Sequence, residues 1–169
     1  MSFFVNAVLE GLRRFPELNA SIDGNDIVYH GFFDIGIAVA SPRGLVVPIL
    51  RDADQLAMAD VELRIRDFAE KAREGTLSLE EISGGTFTIT NIGAMGGSFF
   101  APIINYPQVA IMGMGRAKWK PWVIDSQNGP EIVPRLIMPL VLTIDHRVLD
   151  GADAVRFIQV VKEVLEDPD

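Results

Sequence analysis

Leu136-Ile137-Met138-Pro139-Leu140-Val141-Leu142-Thr143-Ile144-Asp145-His146-Arg147-Val148-Leu149-Asp150-Gly151 passes from an apolar run into a charged heptad that ends on glycine. The apolar run, Leu136 to Ile144, reads as a buried strand. Beyond the heptad, Val155, Ile158, Val161 and Leu165 recur at helical spacing until Pro168 stops the helix. His146 therefore falls on a strand-to-helix turn, between the carboxylates of Asp145 and Asp150. Histidine has an ordinary pKa of roughly 6.5, which lets it take and return protons near neutrality. On this pattern alone two readings stay open: a base held rigidly by the turn, or a histidine that only knits a charged turn together.

Outward from the heptad, the chain mixes helices and strands. Ser2 to Phe15 is an amphipathic helix with Val5, Val8, Leu9 and Leu12 on one face, closed by Pro16. Ala20-Ser21-Ile22, Asp23-Gly24-Asn25 and Ile27-Val28-Tyr29 spell a hairpin. Alternating Ile35, Ile37 and Val39 predict a strand, which Pro42-Arg43-Gly44 turns into Leu45 to Leu50. A second helix aligns Val61, Ile65, Phe68 and Ala72 and ends at Gly75. The acidic residues from Asp52 to Asp67 read as its solvated face and approach. Ser78 and Glu81 have capping-box spacing, a pattern that also arises by coincidence. Strands Thr86 to Asn91, Val109 to Lys118 and Leu136 to Ile144 complete a sheet, the last two joined through the turn at Asp125-Ser126-Gln127-Asn128-Gly129. Without regular βαβ alternation, the mixture predicts an α+β domain.

Composition narrows the function classes. The 169 residues, 49% hydrophobic, suit one compact domain with a substantial core, and no internal repeat is evident. A formal net charge of -8 argues against a nucleic-acid surface, which is built mainly from Lys and Arg. With no cysteine, the chain has neither a disulfide scaffold nor a thiolate nucleophile. No stretch approaches the roughly 20 apolar residues of a membrane span, and the N-terminus lacks the pattern of a signal peptide. The expectation is a soluble chain.

Other candidate sites are weaker. Gly93-Ala94-Met95-Gly96-Gly97 follows a strand but lacks the spacing of the phosphate-binding loops. Gly113-Met114-Gly115, inside an apolar run, reads as tight packing between strands. His30 ends a hairpin strand and reads as a surface or loop histidine. Two histidines far apart in sequence, without cysteine, give no zinc-site spacing. A Ser-His-Asp hydrolase lacks its Gly-x-Ser-x-Gly elbow here, Ser98 being followed by Phe99 and Phe100.

The heptad Asp-His-Arg-x-x-Asp-Gly at 145–151 resembles the C-terminal signature of the dihydrolipoamide acyltransferase component of 2-oxoacid dehydrogenase complexes, a relative of chloramphenicol acetyltransferase. Four further segments fit the same family in the same order: Phe15-Pro16-Glu17-Leu18-Asn19-Ala20-Ser21-Ile22, Pro42-Arg43-Gly44-Leu45-Val46-Val47-Pro48, Gly85-Thr86-Phe87-Thr88-Ile89-Thr90-Asn91 and Pro102-Ile103-Ile104-Asn105. Any one is weak; together they span nearly the whole chain.

The resemblance implies a chloramphenicol acetyltransferase-like mixed sheet with packed helices. It implies transfer of an acyl group, with acetyl preferred over succinyl from the Gly96–Pro102 and Gly113–Arg116 segments, from S-acyl-dihydrolipoamide to coenzyme A. His146 is then the general base, Thr90 the hydroxyl donor to the oxyanion, and Asp150 an orienting group for the turn and imidazole. Asp145 and Arg147 are expected as an ion pair fixing the turn, and Gly151 as a close-packed helix entry. The Gly93–Gly97 loop is expected beside a substrate channel. Arg116 and Lys118, with Lys120, are candidates for the phosphates of coenzyme A, against the alternative of a strand edge protected by lysine. No metal is implied.

Relatives form trimers with sites between subunits, so the expected partners are two further copies, a lipoyl domain supplying lipoamide, and the decarboxylase and dihydrolipoamide dehydrogenase components. Localisation would be cytoplasmic in a bacterium or the mitochondrial matrix in a eukaryote. Against the family pattern, residues 1–169 read as a single catalytic domain lacking its N-terminal part, any lipoyl or subunit-binding domain, and the apolar tail beyond Asp167-Pro168. The turn at Asp125 to Pro130 reads as slightly longer than in relatives. A trimer is therefore expected in preference to a cubic or dodecahedral cage. The alternative reading is an oligomeric scaffold derived from that core.

Overall fold

The structure, a computed structural model, describes residues 1–127 and 129–168. Helix α1 (Ser2–Arg14) turns its buried face, Phe4, Val5, Val8, Leu9 and Leu12, toward the core and ends just before Pro16. Hairpin β1 (Ala20–Asp23) and β2 (Asp26–Tyr29) follows, its turn made by Gly24 at φ 60°. Strand β3 (Ile35–Ser41) leads to β4 (Gly44–Val46) and β5 (Ile49–Leu50). Helix α2 (Met58–Glu74) buries Val61, Phe68 and Ala72 and stops at Gly75, which adopts the left-handed conformation. The one-turn helix α3 (Leu79–Ile82) has the reciprocal Ser78–Glu81 capping box that the spacing suggested.

Strands β6 (Phe87–Asn91), β7 (Ala110–Met114), β8 (Lys118–Ser126), β9 (Gly129–Ile137) and β10 (Leu140–Ile144) precede helix α4 (Gly151–Glu166). The main sheet runs β10-β7-β6-β3-β4, with β5 also on β3. Strand β6 lies parallel to β3 and β7, and the other pairings are antiparallel. This mixed sheet with helices is the α+β arrangement expected.

The core lies between one face of the sheet and the helices. Ile35, Ile37, Phe87, Ile89, Ala110 and Met112 of β3, β6 and β7 join this core, in which α2 packs on β3, Phe157 of α4 meets Phe87, and α1 packs on α4. Phe157 of α4 is the keystone: its ring centroid lies 5.8 Å from Phe87 and 6.4 Å from Phe15. Full burial of one such side chain contributes on the order of 2–3 kcal/mol. Among the described residues no helix is long and apolar enough to cross a membrane.

Several sequence expectations need correction. The run Val109 to Lys118 is not one strand: the Arg116 N–H donates to Gly97 O at 2.7 Å, and pairing between β7 and β10 gives way to a separate ladder. The run Leu136 to Ile144 is likewise two strands, divided at Met138-Pro139, because proline has no N–H to give the ladder. Leu45 to Leu50 breaks at Val47-Pro48, where Pro48 O accepts from Ile37 N at 2.9 Å. Strand β10 is half-buried along its length, being a sheet edge. On α4, Val155 is exposed and Phe157 takes the buried position. Of the turn read over Asp125–Gly129, Asn128 lies outside the described residues, as does Asp169 at the end of the chain.

Candidate active site

The heptad builds a rigid corner between β10 and α4. Its entry is fixed by Asp145 N donating to Val109 O at 2.7 Å, and Asp145 O then accepts from Val148 N and Leu149 N. The Asp145 carboxylate closes the turn: it accepts from Arg147 N at 3.0 Å and from Arg147 Nε and Nη2 at 3.0 and 2.6 Å. That guanidinium holds the Asp145 carboxyl below its ordinary range. The expected ion pair is present, and buried Leu149 anchors the corner to the core.

Asp150 is the N-cap of α4. Its Oδ1 accepts from Ala152 N at 2.8 Å and Asp153 N at 3.0 Å, and those amides depress its pKa, with Asp153 the larger cause. Among the described residues no hydrogen bond joins Asp150 to His146, and the expected orienting contact is not seen within one chain. Gly151 differs from expectation: among the described residues a Cβ there would meet no atom within 4 Å, so this helix entry is not crowded by another element. His146 is exposed on the corner, and its ring makes no hydrogen bond among the described residues.

Thr86, Thr88 and Thr90 alternate onto the sheet face opposite the helices. Thr86 Oγ1 bonds to Asp34, and Thr88 Oγ1 donates to Gln108 Oε1 at 2.6 Å. Thr90, half-buried between Ala38 and Gly113, is the one of the three whose hydroxyl has no partner among the described residues.

The sheet register sets His146 and Thr90 apart. Ile144 pairs with Ala110, so His146 stands two residues beyond the start of β7, whereas Thr90 pairs with Gly113 near its end. Five residues of rise separate them by about 16 Å along the strands, with two further strand spacings across. One chain does not bring these two groups together.

Arg116 and Lys118 lie at the Thr90 end, just past β7. Both are exposed and neither has an ion pair among the described residues. Lys120 Nζ sits 5.9 Å from the Phe99 ring centroid, over its face. The two glycine-rich stretches pack against each other: a Cβ on Gly93 would come within 2.7 Å of Gly115 O, and one on Gly115 would collide with Ser98 O. His30 is half-buried, with Nε2 3.1 Å from Ser21 Oγ, and burial lowers its pKa.

Sequence reasoning missed the Asp34–Arg51 clamp. Arg51 Nη1 donates to Asp34 Oδ2 and its Nη2 to Ser83 O, both at 2.6 Å, tying the start of β3 to the approach of β6. These partners are distant in sequence and carry no motif. Among the described residues no group of His, Cys, Asp or Glu is placed to hold a metal ion.

Comparison with known proteins bears on this geometry. The family model for the 2-oxoacid dehydrogenases acyltransferase catalytic domain matches residues 1–169. The dihydrolipoyllysine-residue succinyltransferase component of the 2-oxoglutarate dehydrogenase complex of Cupriavidus necator is 56% identical over 168 residues, which are 99% of this chain and 39% of that protein. The chain thus spans about two fifths of the length of the curated relatives it matches. A solved dihydrolipoamide acetyltransferase of Azotobacter vinelandii superposes with a TM-score of 0.91 at 36% identity, over 98% of this chain and 68% of that one. That work concerns the catalytic role of a serine, a histidine and an asparagine four residues after the histidine. A chloramphenicol acetyltransferase superposes at 0.59 with 18% identity, over 96% of this chain and 75% of that one, a likeness of fold.

Proposed function

Because the chain belongs to the 2-oxoacid dehydrogenase acyltransferase family as its catalytic domain, we propose that it moves an acyl group from S-acyl-dihydrolipoamide to coenzyme A, with His146, Thr90 and Asp150 at the site. Residues 1–169 form one catalytic unit. The lipoyl arm comes from a lipoyl domain outside these residues, in a complex with decarboxylase and dihydrolipoamide dehydrogenase components.

In the reaction, the coenzyme A thiol attacks the thioester carbon while His146 takes the thiol proton. A thiol with an ordinary pKa near 8.5 is mostly protonated at neutrality, so this removal matters. The carbonyl oxygen becomes an oxyanion, and the Thr90 hydroxyl donates to it. Collapse breaks the bond to dihydrolipoamide sulfur, and His146 returns the proton to that thiolate. Asp150 fixes the start of α4 and so the corner that carries His146. Arg116 and Lys118 offer charge to the phosphates of coenzyme A.

The observation that carries this reading is the pair of uncommitted groups: an exposed imidazole on a bonded corner, and a threonine hydroxyl left free where its two neighbours on that face are paired. Their placement at opposite sheet ends favours a site formed by His146 of one copy and Thr90 of another. The acyl group we assign is succinyl in place of the acetyl expected from the sequence, since identity is 56% to a named succinyltransferase and 36% to a named acetyltransferase.

The test is transfer to coenzyme A by the purified chain, with S-succinyl- and S-acetyl-dihydrolipoamide offered in parallel. Succinyl transfer is expected to be faster, His146→Ala to abolish it, and Thr90→Ala to lower kcat about 100-fold at unchanged KM for coenzyme A. Parental rates in His146→Ala would overturn the mechanism, and faster acetyl transfer would overturn the acyl assignment.

A further inference from the structure

The chain has four lysines, and their surroundings differ. Lys71 lies 2.8 Å from Asp67 and 2.7 Å from Glu81, and hydrogen bonds to those two carboxylates raise its pKa above the ordinary range. Lys162 lies 3.8 Å from Glu166, one turn along α4. Lys118 and Lys120, on the two-stranded ribbon of β8 and β9, are exposed and have no carboxylate partner among the described residues.

Of this pair, Lys120 is the one whose charge the fold opposes. It stands directly across from Arg135 in the ladder, whereas Lys118 stands across from Ile137. Like charges opposite one another in a sheet are destabilising. From Arg116 to Ile137 four cations, Arg116, Lys118, Lys120 and Arg135, stand against two carboxylates, Asp125 and Glu131, in a chain of net charge -8. An anionic thioester is drawn to such a stretch. Position adds to charge, because Lys120 Nζ sits 5.9 Å from the Phe99 ring centroid. The ring of Phe100, the next residue, fills the space that a Cβ on Gly113 would need, and Gly113 is the register partner of Thr90. Two neighbouring aromatic side chains thus lead from the amine to the hydroxyl assigned to the oxyanion.

We infer that Lys120 is a self-acylation site, at which the chain takes the acyl group of acyl-coenzyme A onto its own amine. The neutral Nζ attacks the thioester carbon. The N–C bond of an amide forms, the C–S bond breaks, and coenzyme A leaves as the thiol with the proton that the nitrogen gives up. No oxidant or further reactant is needed. The amide removes the charge that faces Arg135, and a succinyl group puts a carboxylate in its place, so the cross-strand pair becomes one of opposite charge. This rests on the reading that acyl-coenzyme A is formed beside Thr90.

The test is incubation of the purified chain with succinyl-coenzyme A, followed by proteolysis and mass spectrometry of each lysine over time. Lys120 is expected to gain succinyl about tenfold faster than Lys162, with Lys118 between them and Lys71 slowest. The urea-unfolded chain should lose this preference. Arg135→Glu gives Lys120 a carboxylate partner at an exposed position. That variant should keep the circular dichroism of the parent, and its Lys120 should react no faster than Lys162. Lys120→Arg should remove the fast phase of labelling without speeding Lys118. Equal rates at Lys118, Lys120 and Lys162 in the folded chain overturn the site. So does a preference for Lys120 that survives in urea or is unmoved by Arg135→Glu.

Transfer from succinyl-dihydrolipoamide, measured on the same preparations, separates this site from the catalytic reading, because succinyl-coenzyme A is supplied ready made. A chain that transfers nothing yet labels Lys120 first strikes the catalytic reading and leaves the acceptor standing. A chain that transfers but labels its lysines evenly does the reverse.

Discussion

Asp150 occupies a position where a carboxylate is useful before any chemistry begins, since two amides at the start of α4 point at its Oδ1 and the helix end is positive. Those bonds exist only in the fold, so its folded pKa lies below the unfolded value of roughly 3.9. The stabilisation is therefore present above that unfolded value and lost as pH falls through the folded one, and Asp145, held by Arg147, behaves the same way. Urea midpoints should hold down to about pH 4 and then drop. Asp150→Asn, which retains a capping oxygen, should match the parent near neutrality and lose less in acid, whereas Asp150→Ala should be less stable throughout. An Asn variant that is stable but has a lower kcat would give the carboxylate a part in the chemistry beyond the cap. Much of this was legible in the heptad: the corner and the ion pair both depend on neighbours within a few residues. Thr90 was not singled out by its local pattern, because what distinguishes it from Thr86 and Thr88 is the absence of partners such as Asp34 and Gln108, which only the fold brings near.

Between elements, a close joint lies where α4 packs on α1. A Cβ on Gly11 would lie 2.6 Å from Phe157 Cε2, so the glycine is the space into which the ring fits. Phe157→Ala should cost about 3–5 kcal/mol by opening a cavity against Phe87 and Phe15. Gly11→Ala should cost about 1–3 kcal/mol by overpacking. The double variant Gly11→Ala/Phe157→Leu should cost less than the sum of its parts, because the smaller side chain yields the space that the new methyl needs. Additive free energies from urea titrations would show that the two helices do not share this contact. The helices were read nearly to their ends, since their apolar spacing and stop residues are local. The strands were read less well: Gly115, Pro48 and Pro139 sit within apolar runs that look continuous, and the breaks follow from where backbone groups find partners. Prolines at 121, 130 and 134 hid β8 and β9, whose prolines are tolerated because a ribbon of two strands is all edge.

For the molecule as a whole, stability should grade from the middle of the sheet outward. Strands β6 and β7 have a hydrogen-bonded neighbour on both sides and the Phe157 keystone beneath, and Phe87, Ile89, Ala110 and Met112 are buried. Opening their amides to solvent requires breaking the core itself, so their exchange should report global unfolding. The β1–β2 hairpin has little core of its own, every residue of β2 being exposed, and β4 is a three-residue edge strand. Hydrogen exchange should therefore be slowest at Phe87–Asn91 and Ala110–Met114, with similar apparent free energies in the two strands, and several orders of magnitude faster in β2 and β4. Phe157→Ala should speed exchange in β6 and β7 together while leaving β2 nearly unchanged, since it lowers the global barrier and not the local one. Equal protection of β2 and β6 would mean that the hairpin unfolds only with the core, and a β6 that exchanges faster than β7 would place the keystone elsewhere.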